Sequence, residues 1–473
     1  MRMEENEFNE PGFGEIVDLV KQYEDSVKAR EDVFLPEESY EQIIEFYLNN
    51  RENNKALRAT ESAIEQHSFS SFFYSKKAEI LANQKHFEEA LYALDEAEKL
   101  DPNDINIFLI RADIALWEGR HEDALAQVDY ALTIADDDDD KCELYLEYAD
   151  VYEDMEQYDE VIKALQSALQ LNPLNEEALN RYWFCTELTG KYNDSIKFHE
   201  QLIEESPYSF MAWFNLGHAY AGLNQYEKSL DAFGYVIAIE ENFDPAYICC
   251  ADVLYNMARY DEAIAYYLDA IKISKPNKEL YLKTAECFEK MNELPKSRAY
   301  LRKAIVVDPC YDEAFFRIGE TYRTEEKWNK AISSYERAVK LNKENTDYLA
   351  ALADAYMSVG EGELALNIFE RIFQLDTQTK QNWINLATAY FNVENFRKAF
   401  QVLTEAEAKY ENSADLFYIK AVFYMQAGNR HEALLNLERG LLTNFDEHTM
   451  IFEMDDSLLD DESVLQVIEQ YRD

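Results

Sequence analysis

Eight carboxylates recur along the chain in one register: Glu45, Glu79, Asp113, Asp150, Asp252, Glu286, Glu320 and Asp354. Neighbours stand 34 residues apart, save one interval of 37 and one of three periods. Acidic residues make up about a fifth of the chain, so twelve random positions would hold two or three of them. A line of carboxylates on one face draws cationic side chains and repels anions. That is binding chemistry. Catalysis by carboxylates needs a tuned acid–base pair beside a reacting group, and an evenly repeated carboxylate supplies none. The sequence has no P-loop, GxGxxG, GxSxG, HExxH or metal-spaced Cys/His pattern. The run ADDDDDK (135–141) lacks the alternating ligands, central glycine and distal glutamate of a calcium loop, and reads as an exposed, solvated loop. No catalytic, cofactor-binding or metal-ligating residue is therefore expected, and the chain reads as non-enzymatic.

Composition narrows the partners. The 473 residues carry a formal charge of −49. Acidic chains that stay disordered are poor in aromatics, whereas this one is 47% apolar and 14% Phe, Trp and Tyr, so a folded acidic protein is expected. Such a field disfavours nucleic acid and anionic membranes, and favours basic partners. Glycine (12) and proline (9) are scarce, which favours helices over hairpins. The first residues hold no apolar segment of signal-peptide length, and no apolar run reaches about 18 residues, so a soluble cytoplasmic chain is expected. The six cysteines, Cys142, Cys185, Cys249, Cys250, Cys287 and Cys310, form no CxxC and read as reduced, small core residues in apolar helical patterns. His86, His121 and His431 fall in polar turns.

The elements that would position the carboxylates follow from the same period. With Gly217 taken as position 8 of a 34-residue unit, twelve units run from Glu37 to about Glu447, with one three-residue slip near 136–140. Position 8 is Ala or Gly in ten units, position 27 is Ala in eight, and position 11 is Tyr in seven, including Tyr152, Tyr322 and Tyr424. Position 20 is small in eleven of the twelve, Val161 being the exception. Positions 4, 7, 8 and 11 share one side of a helix, and positions 20, 24 and 27 share one side of a second. Small residues at 8 and 20 allow the two helices close approach, and larger ones at 4, 11 and 24 fill the flanks. One pair buries too little alone, so pairs must stack. Trp183 stands where a small residue belongs, which predicts splayed helices or a local slip of phase in the fifth unit.

This pattern, over about 411 residues, resembles the tetratricopeptide repeat, and the whole plan resembles long acidic proteins of that type in the Bacteroidetes. The resemblance implies an all-α solenoid, a right-handed superhelix of about twelve helix-turn-helix repeats with terminal capping helices. Residues 1–36 would be an acidic segment and a capping helix whose stripe is Phe13, Ile16, Val17, Val20, Tyr23 and Val27. Residues 37–447 would be the repeats, and 448–473 an acidic terminal cap containing ESVLQVIEQY. These ends are too short for a catalytic domain.

In such arrays the face of the first helix turned away from its partner lines a peptide-binding groove. Position 9 lies on that side, opposite 4, 7, 8 and 11. Position 6 of the following unit is its expected neighbour, which pairs Glu45 with Lys76, Asp150 with Arg181, Asp252 with Lys283 and Glu286 with Arg317. Glu79, Asp113, Glu320 and Asp354 face Ile110, Glu147, Ala351 and Asn385, and so form a candidate ligand-binding set. Phe214, Phe316 and Tyr418 at position 5, with Tyr255 and Phe391 at position 12, are candidate groove aromatics or contacts between neighbouring units. No unit pairs Lys at 5 with Asn at 9, as a carboxylate clamp for acidic chaperone tails requires. The expected partner is a protein or peptide, basic or mixed basic–apolar, with no nucleic acid and no membrane, and the oligomeric state is left open. A scaffold or adaptor is the first reading. A chaperone-like or inhibitory protein that sequesters a basic, nucleic-acid-binding partner is the alternative.

Overall fold

The computed structural model describes residues 13–29 and 33–472; residues 1–12 and the side chain of Phe13 lie outside this description. Among the described residues there are 27 α-helices, two 3₁₀ turns and no strand. Twenty-four of the α-helices form twelve antiparallel pairs. First helices begin at Glu37, Ser71, Ile105, Asp138, Glu176, Phe210, Asp244, Lys278, Asp312, Thr346, Lys380 and Ala414. Eleven of these starts are position 1 of the sequence register. The fourth begins four residues early, because Asp138–Asp154 carries an additional turn.

That turn corrects the reading of the Asp run. Residues 138–140 are helical, and the Asp137 side chain accepts the Asp140 N–H at 2.7 Å. Carboxylates are favoured at a helix N-terminus by the exposed N–H groups and the macrodipole, so the inserted acids extend the helix. Each pair turns through one residue in left-handed conformation at position 15, from Arg51 (φ 59°) to Gly428 (φ 79°). Only four of the twelve, Gly119, Gly190, Gly360 and Gly428, are glycine.

The small residues sit where close contact demands them. A Cβ on Gly217 would lie 2.6 Å from the Phe233 ring, and one on Gly319 would lie 2.4 Å from the Tyr335 ring. Position 8 thus forms the bed for the position-24 side chain of its own repeat. Leu94, Val128, Leu165, Leu301 and Leu403 fill the same place over Ala78, Ala112, Ala149, Ala285 and Ala387, and all are buried.

The fifth repeat departs as its tryptophan requires. Its helices, Glu176–Thr189 and Tyr192–Glu205, start on the period, so the phase holds, but they touch over only a short stretch. Trp183 is turned out toward His218 of the next repeat (5.1 Å between rings). Tyr182 takes the inward place, stacked on Phe198 and edge-on to His199.

The chain divides into two compact units, residues 1–246 and 247–473. The first unit opens with the helix Phe13–Ala29, which lays Val20 and Tyr23 on the first repeat; Val17 and Val27 of its stripe are exposed. The second unit ends in two 3₁₀ turns and two short helices, and Val464 and Ile468 of Glu462–Gln470 are buried against the twelfth repeat. Four of the six cysteines are buried and none is in a disulfide; Cys310 is exposed, because it occupies a turn between repeats and not a helix. Among the described residues no helix is long and apolar enough to cross a membrane.

Candidate functional site

The first helices of repeats 2 to 5 carry a line of carboxylates in the first unit: Glu79, Asp113, Glu147 and Asp150, ending at Arg181. The repeat period puts position 9 at the same height on each successive helix, so Glu79, Asp113 and Asp150 fall in register. Asp113 and Glu147 bring two carboxyl groups close enough to act on each other's protonation. Burial, and then the charges of Asp113 and Asp150, push the Glu147 carboxyl up to about 8, so it is largely protonated at neutral pH. Its Oε1 is buried without a partner. The Asp113 carboxyl is also raised by burial, with Asp150 and Glu79 adding like charge.

One guanidinium closes the line. Arg181 reaches Asp150 at 2.7 Å, Glu153 at 3.0 Å and Glu177 at 3.3 Å. Asp150 is still raised, because burial outweighs the pull of Arg181.

The corresponding carboxylates of the second unit are compensated more fully. Lys283 meets Asp252 at 2.7 Å, and Arg317 meets Glu286 at 2.9 Å and Glu289 at 3.0 Å. With Asp150–Arg181, these are three of the four expected inter-repeat pairs. The fourth does not form. Lys76 turns to Glu79, three residues on in its own helix, at 2.8 Å, and Glu45 is left exposed. Glu79 therefore has a cation that the position-6 rule missed. So does Glu320, which meets Arg323 at 2.5 Å and accepts the Tyr335 hydroxyl at 2.5 Å. Tyr267 donates to Asp252 in the same way. Tyr267 and Tyr335 are the only tyrosines at position 24, and that coincidence with an acid at position 9 is the signal the sequence held. Asp354 is exposed at the helix surface, and its carboxyl is raised by desolvation and by Glu320, against Arg323.

The aromatic set divides. Tyr418 is a core residue: it is fully buried, its ring covers Gly440, and its hydroxyl donates to the Asn444 carbonyl at 2.7 Å. Phe391 is buried in a stack on Phe423 (4.1 Å), across the boundary between repeats 11 and 12. Phe316 stacks on Tyr348 of the next repeat (4.7 Å). Phe214 packs edge-on to His218 and Phe243, and Tyr255 edge-on to Tyr260. These last three are half-buried.

Tetratricopeptide repeat models match residues 47–105, 143–184, 212–243, 251–312 and 314–347. The model of the anaphase-promoting complex, cyclosome, subunit 3 matches 362–440. The chain is a tetratricopeptide repeat protein. It is similar to the Hsp70-Hsp90 organising protein of Plasmodium falciparum, at 26% identity over 91 residues, which is 19% of this chain and 36% of that one. The protein of the same name from isolate 3D7 gives 26% over 91 residues and 16% of its length. The chain thus spans about a third or less of these curated relatives. Among solved structures, a tetratricopeptide repeat protein of Parabacteroides merdae matches 58% of this chain and 98% of its own, at 12% identity and a TM-score of 0.35. YrrB, described as having an unusual peptide-binding site, matches 39% and 95%, at 17% and 0.33. The APC/C hetero-tetramer Cut9-Hcn1 matches 92% and 90%, at 12% and 0.32.

Proposed function

We propose that this repeat protein is a non-catalytic, cytoplasmic scaffold that takes up a basic or mixed basic–apolar protein segment along the first helices of repeats 2 to 5. The observation that carries this reading is the line Glu79, Asp113, Glu147 and Asp150 on successive first helices, where Lys76 meets Glu79 at one end, Arg181 meets Asp150 at the other, and no cation among the described residues reaches Asp113 or Glu147 between them. A Lys or Arg side chain placed along the line supplies the cation that Asp113 and Glu147 lack and favours the ionised form of Glu147. The second unit supplies a weaker version, since Lys283, Arg317 and Arg323 already occupy its carboxylates. The relatives' name speaks of Hsp70 and Hsp90, but an acidic chaperone tail is the wrong charge for this face, and the clamp residues are missing.

The test is fluorescence anisotropy with a labelled peptide of alternating Arg and Leu, at about 50 and about 300 mM NaCl. Asp113→Asn with Glu147→Gln should weaken binding about tenfold at the lower salt, and the difference should shrink at the higher. Equal affinity of wild type and variant at both salts would remove the acidic line from the binding site.

A further inference from the structure

In a chain with 94 acidic and 45 basic residues, cations should be taken up by carboxylates. On the second helices of repeats 8 to 10, and in the turn that holds Lys343, six of them are not, although Lys296 and Arg298 of the same region do pair with Glu293 and Glu325. Among the described residues, Arg302, Lys303, Arg337, Lys340, Lys343 and Arg371 have no carboxylate oxygen within 4.0 Å. The helix Leu294–Val307, LPKSRAYLRKAIVV, contains no acid at all. Two of these cations rest on rings instead: Lys303 over Tyr300 at 4.0 Å and Arg337 over Phe315 at 5.6 Å.

Three of the six border a cleft of about 430 Å³ between the second helices of repeats 9 and 10. Its apolar lining includes Val339, Leu352, Leu364 and Ile368, together with Tyr356, whose hydroxyl donates to Glu336 at 2.8 Å. Its rim is Lys340, Lys343 and Arg371, against the single acid Glu336. Leu364 is 44% exposed. Arg371 is held in place by donating to the Lys343 carbonyl. The corresponding cleft of repeat 2, about 390 Å³, has the opposite rim: Glu88, Glu89 and Glu96, with Lys77 already bound to Glu61 at 3.1 Å. The repeat architecture therefore makes the cleft, and local sequence sets its sign.

We infer that the cleft of repeats 9 and 10 is a second docking surface, for an acidic, amphipathic protein segment that inserts an apolar side chain between its carboxylates. Charge complementarity selects an acidic partner, since these are unneutralised cations in a chain of −49. The apolar floor selects against a bare polyanion, which would bring nothing to cover Leu364 and Ile368. A nucleic acid would also feel the repulsion of the whole chain along its length. This surface is independent of the acidic line in repeats 2 to 5. The protein would thus join a basic partner to an acidic one.

The probe is a short labelled peptide of alternating Glu and Leu, titrated into the full chain. Its controls are the Gln-for-Glu peptide, oligoglutamate of equal length and a single-stranded oligonucleotide of equal charge. The Glu–Leu peptide should bind, and Lys340→Glu with Lys343→Glu should weaken it about tenfold, as should Leu364→Asp alone. Asp113→Asn with Glu147→Gln should leave it unchanged. The Lys-to-Gln versions serve should the reversed variant lose helicity. No binding to wild type, equal binding to both variants, or oligoglutamate or oligonucleotide binding as tightly would overturn the proposal. So would sedimentation showing a self-associated wild type that Lys340→Glu dissociates, because the occupant would then be a second copy.

Discussion

At the scale of single residues, two titrating groups of the first unit pull in opposite directions with pH. His199 is fully buried; its Nδ1 donates to the Ser195 carbonyl at 2.8 Å, and its Nε2 accepts from the Asn215 amide at 3.3 Å. Burial pushes its pKa down to about 4 from 6.5. The neutral ring is the folded form, so stability is full above pH 6.5 and is lost as pH falls toward 4, by about 3 kcal/mol for that interval. His199→Leu, which places the commonest position-24 residue there, should flatten this loss. Equal slopes of unfolding free energy between pH 6.5 and 4 for the two proteins would rule it out. Glu147 has the opposite sign. Its folded pKa of about 8 lies above the ordinary value of 4.5, so its favourable contribution is present below pH 4.5 and is lost as pH rises through 8. If a basic segment binds only the ionised form, affinity for an Arg–Leu peptide should rise about tenfold from pH 7 to pH 9, and Glu147→Gln should abolish the rise. A pH-independent affinity in wild type would separate Glu147 from the site. The sequence showed Glu147 opposite Asp113, but not that the pair would keep a proton, because burial is a property of the packed repeats. The same limit hid the choice of Lys76 between Glu45 and Glu79, two carboxylates that the register places about equally near.

At the scale of helix pairs, the sequence register was legible nearly to the residue. Small residues at position 8 marked the contact, and the Gly217–Phe233 and Gly319–Tyr335 pairs show its geometry. What stayed hidden has a local cause in each case. The extra turn at Asp138 came from an acid run that composition alone assigns to solvent. The left-handed residue at position 15 is Lys85, Glu156, Ala258 or Glu326 as often as glycine, so no composition signal marks it. Tyr418 belongs to the core because the glycine of its pair sits at position 27, Gly440, and not at position 8. The exchange of bulk between paired positions can be measured. Gly217→Ala gains up to about 1 kcal/mol of helix propensity, but overpacks the Phe233 ring at a cost of about 1–3 kcal/mol. Phe233→Leu alone should leave a cavity. The double variant rebuilds the Ala–Leu pairing of repeats 2, 4, 8 and 11, so denaturant unfolding should show a favourable coupling of about 1 kcal/mol or more. Strict additivity of the two changes would show that position 8 and position 24 do not share one packing constraint.

At the scale of the whole chain, the question is whether ion pairs or unpaired charge dominate. Both are screened by salt, with opposite consequences. The pairs are mostly exposed, as in Lys163–Glu160 and Lys272–Asp269, and such pairs are worth about 1 kcal/mol or less each. With 94 acidic and 45 basic residues, about half of the carboxylates are left without a cation even if every base is paired. Those carboxylates repel one another across helices packed within a Debye length, about 10 Å at 0.1 M salt. Repulsion should therefore win, and raising NaCl from about 10 to about 300 mM should raise the thermal midpoint by several degrees. Chloride is the right anion for this, since sulfate would also strengthen apolar burial. The same titration should weaken an Arg–Leu peptide, because attraction to the acidic line is screened as repulsion is. A protein that becomes more stable while it binds less tightly cannot be losing affinity through unfolding. A thermal midpoint that falls with salt would mean that the ion pairs, and not the surplus carboxylates, set the stability of the repeats.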